Sequence, residues 1–230
     1  QQALQIFDKA LNVAGSISNN YYKALALSKI ASELAKAGQT QKALQIFDKA
    51  VNAAGSIYDD SDKASALINI ASELAEAGQT QKALLIFDDA LNAAGSISDD
   101  YDSDDSEKAG ALKDIAVELA EAGQFDKALN VAGSFSDDLY KARALKDIAS
   151  ELAKAGQFDK ALTVAGSISD DSDKAEALKD IAVELAKAGQ FDKAVTVAGS
   201  ICTDFYKDLA FRDIAVELAK AGQFDDALNV

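Results

Sequence analysis

The stretch IASELAKAGQ, at residues 30–39, recurs along the whole chain with few changes. Near-copies of it begin at residues 70, 115, 148, 181 and 214. Recurrence of one segment at a regular interval is the sequence signature of stacked supersecondary units. The 230-residue chain is therefore predicted to be a repeat protein, which grows by adding units and not around one central core.

Each copy predicts the end of a helix, here called helix A, and the turn that follows it. In residues 62–77 the apolar positions lie three and four residues apart, which places them on one helical face. The polar residues Asp59 to Asp62 are N-cap candidates at the start of this helix. Gly78 is predicted to end it in the left-handed conformation.

A second helix, here called helix B, follows each turn and occurs in two lengths. The long form is TQKALQIFDKAVNAAG (40–55) and the short form is FDKALNVAG (125–133). The missing residues correspond to about two helical turns, so the buried face keeps its register. We expect one array, with 40-residue repeats over residues 1–97 and 33-residue repeats over residues 109–230.

An irregular acidic segment, SDDYDSDDSEK at residues 98–108, joins the long repeats to the short ones. Asp100, Asp102 and Asp104 have the first three ligand spacings of a calcium-binding EF-hand loop. However, Asp105 and Ala111 occupy the positions that require glycine and glutamate. We predict a solvated loop and no metal site, and weak divalent binding stays open.

Composition excludes several classes of function. The net charge of −15 argues against nucleic acid as a partner, because phosphate binding needs clustered Lys and Arg. No apolar run approaches 18 residues, so no membrane span is predicted. The single cysteine, Cys202, excludes an internal disulfide and favours a cytoplasmic location. Because methionine is absent, we expect the chain to be a piece of a longer protein.

The long units resemble the tetratricopeptide repeat. In residues 66–91 the small residues of that family correspond to Ala71, Ala83 and Ala90, its turn glycine to Gly78 and its aromatic to Phe87. The family's proline after helix B is missing, and its 34-residue period is replaced by 40 and 33 residues. The resemblance implies an all-α, right-handed α-solenoid of antiparallel helix-turn-helix repeats. It identifies packing positions and leaves the partner open.

The sequence does not favour an enzyme. Histidine is absent, which removes the usual general base and the Ser/His and Cys/His nucleophile pairs. One glutamate recurs at an identical place in each helix A, from Glu33 to Glu217, and we interpret it as a packing feature that bonds to a neighbouring helix. We therefore predict no catalytic residue and no cofactor.

Helix A lines the inner groove in tetratricopeptide arrays, so the resemblance places a candidate peptide-binding groove there. The residues at these positions are mostly cationic in the later repeats, and they are Lys113, Val117, Arg143, Lys146, Lys154, Lys179, Val183, Lys187, Arg212, Val216 and Lys220. Cations spaced one repeat apart would suit an extended acidic peptide or a chain carboxylate. The alternative is a solvated face whose cations pair with nearby aspartates.

These features predict a non-catalytic protein-interaction scaffold that binds a peptide or protein segment on the helix-A face. If the cations of the groove bind it, that segment is expected to be acidic. A second hypothesis is a structural protein that self-assembles head to tail as a homo-oligomer, because neither terminal helix is a polar cap. Natural duplication and consensus design both stay open as origins of the near-identical repeats.

Overall fold

The structure is a computed structural model that describes residues 2–97 and 106–227. It forms two compact units, residues 1–118 (unit 1) and residues 119–230 (unit 2). The division falls inside a helix A and not in the acidic segment where the repeat length changes. The calcium hypothesis concerns Asp100, Asp102 and Asp104, which lie outside the described residues.

Helices A and B alternate through both units, and no described residue is in a β-strand. The A helices are α2 (Asn20–Lys36), α4 (Asp60–Glu76), α6 (Ser106–Glu121), α8 (Asp138–Lys154), α10 (Asp171–Lys187) and α12 (Asp204–Lys220). The B helices are α1 (Gln2–Gly15), α3 (Thr40–Gly55), α5 (Thr80–Ser96), α7 (Phe125–Gly133), α9 (Phe158–Gly166), α11 (Phe191–Gly199) and α13 (Phe224–Ala227). Since α6 begins at Ser106, it includes residues 106–108, which the sequence placed in the acidic loop.

Local sequence explains both ends of helix A. At the start of α10, the Asp170 carboxylate accepts hydrogen bonds from the backbone N–H groups of Ser172 and Asp173, at 3.0 and 2.9 Å. At the end of α8, Gly156 has φ +74° and the N–H of Gln157 donates to the carbonyl of Leu152 at 2.8 Å. This is the glycine-dependent Schellman ending, so the predicted caps are confirmed.

In unit 1 the long B helices supply large apolar side chains to the core. Ile46 and Phe47 of α3 are 5% and 1% exposed, and Ile86 and Phe87 of α5 are 8% and 0% exposed. They pack where each B helix lies along the A helix of its own repeat, α3 on α2 and α5 on α4. Buried alanines such as Ala31 and Ala71 allow the helices to approach closely.

In unit 2 the short B helices bury smaller side chains. The buried residues of α9 are Ala161, Val164 and Ala165, while Phe158 stands half-buried at its first position. The core therefore depends on helix A, whose Ile148, Leu152, Ile181 and Leu185 are fully buried. The prediction of an all-α solenoid of helix-turn-helix repeats is confirmed.

Candidate protein-interaction site

Polar side chains form a row of contacts between consecutive A helices, which we call the polar seam. In unit 2 it joins α8 to α10 through Lys146 Nζ and Glu176 Oε2 at 3.4 Å, and through Ser150 Oγ and Asp180 Oδ2 at 2.8 Å. The Tyr206 hydroxyl of α12 donates to the same Glu176 oxygen at 3.4 Å. Glu176 therefore connects three successive A helices of unit 2.

Each member of the first row of predicted groove cations lies on a helix A and pairs with the aspartate that follows it. The pairs are Lys113–Asp114, Lys146–Asp147, Lys179–Asp180 and Arg212–Asp213. The lysine side chains are only 19–29% exposed, whereas Arg212 is 63% exposed. The lysines of this row are thus largely committed to contacts within the protein.

Lys146 of the first row has two carboxylates within 4 Å, those of Asp147 and Glu176. Partial burial by itself lowers the pKa of its ammonium, but the carboxylates of Asp147 and Glu176 raise that pKa overall. The folded structure consequently favours the charged form of Lys146.

The second row of cations is more open to solvent. Lys154, Lys187 and Lys220 pair with the glutamate three residues earlier in the same helix, namely Glu151, Glu184 and Glu217. Their side chains are 59%, 51% and 66% exposed. The hydrogen bond to Glu151 raises the pKa of Lys154. Exposed pairs of this kind are weak, so these lysines can exchange partners.

The other predicted groove residues separate into polar and apolar positions. Arg143 is exposed and forms no ion pair within 4 Å in the described part of unit 2. Val183 is half-buried, while Val216 is 47% exposed. Val117, half-buried, belongs to α6 in unit 1. Thus α8, α10 and α12 bring together nine of the predicted residues in one unit, and Lys113 and Val117 lie in the other.

Unit 1 has its own seam, which sequence reasoning located only in part. Lys29 Nζ of α2 lies 2.9 Å from Glu73 Oε1 of α4, and Glu73 is 7% exposed. Ser28 Oγ donates to Asn69 Oδ1 at 3.0 Å, and Ser72 of α4 bonds to Glu118 of α6. The recurring glutamate therefore joins neighbouring helices at Glu73 and Glu118, as predicted. The prediction is wrong for the equivalent Glu33, Glu151, Glu184 and Glu217, which pair with the lysine three residues later in their own helix.

Two buried polar atoms of this seam have no hydrogen-bond partner among the described residues, Ser32 Oγ and Glu73 Oε2. They occupy the same repeat positions as Ser72 and Glu118, which do bond to each other. Rotation of the two side chains would pair them in the same way, so they do not indicate a ligand.

Comparison with known protein families supports the helical repeat architecture. Residues 22–96, which include α4 and the helices on either side of it, match the tetratricopeptide repeat family. The chain is a tetratricopeptide-like helical repeat protein. No curated protein sequence matches it significantly.

Among solved structures, the tetratricopeptide-like chain is similar to the crystal structure of Ton1535 from Thermococcus onnurineus NA1. The two share 20% sequence identity over 92% of this chain and 84% of that chain, with a TM-score of 0.47. A likeness of this degree says nothing about function.

The described part of the tetratricopeptide-like chain offers little for chemistry. No three His, Cys, Asp or Glu residues within residues 2–97 and 106–227 are grouped so as to hold a metal ion. Cys202 is an exposed free thiol. No helix in the same ranges is long and apolar enough to cross a membrane. Tetratricopeptide repeats are typically non-catalytic and generally mediate protein–protein interaction.

Proposed function

We propose that this chain is a non-catalytic protein-interaction scaffold, and that unit 2 binds an extended acidic segment of a partner along helices α8, α10 and α12. The observation that supports this best is the second row of cations, Lys154, Lys187 and Lys220. Each is at least half exposed and supplied by a different helix. Carboxylates of a peptide crossing the three helices would meet one ammonium group per repeat.

Weak local pairing favours this row as the binding surface. An exposed ion pair within one helix contributes about 0.3–0.5 kcal/mol, so little is lost when the lysine turns to a partner's carboxylate. Arg143 and Arg212 add exposed guanidinium groups on α8 and α12. Guanidinium groups bind carboxylates in a bidentate manner, which would fix the direction of the peptide.

The first row has a different role in this proposal. Lys146 and Lys179 are about one-fifth exposed and contact carboxylates on their own or neighbouring helices. Moving them to a ligand would leave those carboxylates without a cation in a partly buried place. We infer that Lys146 and Lys179 support the packing of the A helices and border the peptide without binding it.

The test is a binding measurement with a charge-matched control. A fluorescein-labelled, glutamate-rich peptide is titrated with the protein, and binding is followed by fluorescence anisotropy. The double variant Lys154→Glu/Lys187→Glu should weaken binding roughly tenfold or more, because two attractions become repulsions. The control Lys160→Glu/Lys193→Glu changes the net charge equally on exposed lysines of α9 and α11. Equal weakening in the two variants would refute a specific groove.

A further inference from the structure

The second row of cations has a counterpart in unit 1, where one lysine already holds two carboxylates. The equivalent position of helix A is Lys36 in α2 and Glu76 in α4. Lys36 Nζ lies 3.4 Å from Glu33 Oε1 of its own helix and 3.6 Å from Glu76 Oε2 of the next A helix. A lysine at this position therefore reaches one carboxylate on its own helix and a second one at the equivalent place on the next A helix.

In unit 2 an ammonium group takes the place of the second carboxylate. The equivalent residues are Lys154 of α8, Lys187 of α10 and Lys220 of α12, so lysine follows lysine at both steps between consecutive A helices. Lys154 and Lys187 keep the ion pair with the glutamate of their own helix. Neither has a second carboxylate within 4 Å in the described part of unit 2. Each step thus lacks the anion that unit 1 places between two A helices.

Adjacent ammonium groups favour a shared anion at these two steps. Helix α10 packs directly against α8 and α12, and like charges on neighbouring helices repel each other. The position can accept a further anion, because Lys36 contacts two carboxylates at once. The preceding A helix, α6, has Glu121 at the same position and is therefore not part of the arrangement.

The separation of the two steps limits the conformation of the bound segment. Packed helices have axes about 8–10 Å apart, so successive anion positions are separated by about that distance. A polyproline II helix rises about 3.1 Å per residue with three residues per turn, which puts every third side chain on the same side, about 9 Å apart. In a β-strand, residues three apart point to opposite faces, and same-face neighbours lie about 7 or 13 Å apart. Polyproline II therefore fits the spacing better than a strand.

We propose that the acidic segment bound by unit 2 adopts a polyproline II conformation with a carboxylate at every third residue. One carboxylate lies between Lys154 and Lys187, and the next lies between Lys187 and Lys220. Each takes the place that Glu76 has beside Lys36 in unit 1. This inference rests on the proposed function and adds to it the spacing and conformation of the partner's acidic residues. Lys187 is the central residue, because it belongs to both steps.

The experiment compares three fluorescein-labelled peptides of identical composition, each with two glutamates in a proline background that favours polyproline II. The glutamates are two, three or four residues apart, and binding to the full chain is followed by fluorescence anisotropy at low ionic strength. The spacing of three should bind about fivefold more tightly than the other two, because only that peptide places both carboxylates on the row. Equal binding of all three peptides would overturn the spacing.

A helical peptide tests the conformation. Two turns of α-helix also span about 10 Å, so a helix with glutamates seven residues apart presents two carboxylates at a similar distance. Tighter binding of that peptide than of the proline peptide with the spacing of three would overturn the polyproline II conformation.

The variant Lys187→Glu tests the central lysine. It gives unit 2 the alternating charges that unit 1 has at Lys36 and Glu76, so a carboxylate of the protein neutralises both steps. Binding of the peptide with the spacing of three should weaken about tenfold, and the preference for that spacing should disappear. Lys193→Glu, the same charge change on an exposed lysine of α11, should keep the preference. Circular dichroism checks that both variants fold. A preference that survives Lys187→Glu would contradict the proposal.

The glutamate-rich peptide distinguishes failure of this inference from failure of the proposed function. If that peptide does not bind, or if Lys154→Glu/Lys187→Glu and its control weaken it equally, both proposals are wrong. If it binds at the lysine row while the three proline peptides bind equally, the proposed function stands and the spacing alone is wrong.

Discussion

The long and short repeats keep helix A and its turn but place the same phenylalanine in different surroundings. The phrase FDKA occurs in both, and Phe47 lies inside α3, 1% exposed, with seven helical residues before it. In the short repeats Phe158 is the first residue of α9 and is half-buried. Removal of one heptad preserves the register of the buried alanines and withdraws the large side chains from the core.

The comparison shows how such an array tolerates unequal repeats. Helix A supplies the contacts that every repeat needs, such as Ile70 and Leu74 in unit 1 and Ile181 and Leu185 in unit 2, all 0% exposed. The length of helix B can then vary, because its alanines are buried in both the long and the short form. Stability should therefore depend on the aromatic residue of helix B in unit 1 far more than in unit 2.

The largest expected effect tests this difference directly. Phe47→Ala should destabilise unit 1 by about 3–5 kcal/mol, since it removes a fully buried aromatic side chain. Phe158→Ala should cost about 1 kcal/mol, because that side chain is only half-buried at a helix start. Urea unfolding followed by circular dichroism measures both losses of stability. Where the two units unfold separately, each transition is fitted by itself. Equal losses would contradict the contrast between the units.

A second substitution tests whether the turn is the shared part. Gly78 in unit 1 and Gly156 in unit 2 have φ +72° and +74°, and an added Cβ would meet no atom within 4 Å at either. Alanine at each should destabilise by about 1–2 kcal/mol from the left-handed backbone alone. Thermal unfolding should give the same loss for both variants. A large difference would mean that the turns are not equivalent.

The seam of unit 2 can be tested through Lys146. Lys146→Met should lower the free energy of unfolding by about 1 kcal/mol at neutral pH. Lys187→Met, which removes an exposed ion pair within one helix, should lower it by about 0.3–0.5 kcal/mol. The raised pKa of Lys146 means that the folded state favours its charged form. Its contribution is therefore complete below the usual lysine pKa and is lost as pH rises through the raised value. Urea unfolding at neutral and strongly alkaline pH should show the wild type converging on Lys146→Met. No convergence would contradict the ion-pair role.

The smallest effect concerns the glycines that end helix B. Gly95 and Gly166 are helical, do not have positive φ, and have no atom within 4 Å of an added Cβ. Alanine at each should stabilise the protein by about 0.4–1 kcal/mol, because it restricts the unfolded chain without strain. Thermal unfolding that shows a loss at either position would indicate a packing role for these glycines.

The sequence predicted which residue types recur at the candidate site, but it did not predict which atoms those side chains contact. The repeat register placed Lys146 and Lys154 on the same helix, and both rows of cations recur in each helix A of unit 2. The structure separates the lysines of the two rows by exposure, for example 19% for Lys146 and 59% for Lys154, and this difference depends on tertiary packing. Binding of an acidic segment there stays a prediction.

The sequence by itself determined the helices and most of their ends, because caps and left-handed glycines act within one turn of the backbone. The exception is the start of α6 at Ser106, which lies in the segment predicted to be a loop. Only the tertiary structure decided which equivalent residues are buried. Glu73 and Glu217 stand at the same place in helix A, yet Glu73 is 7% exposed against Lys29 of another helix, while Glu217 pairs with Lys220 of its own. Val13 and Val131 differ in the same way within identical segments. Burial depends on what packs against a helix, and that is a non-local property.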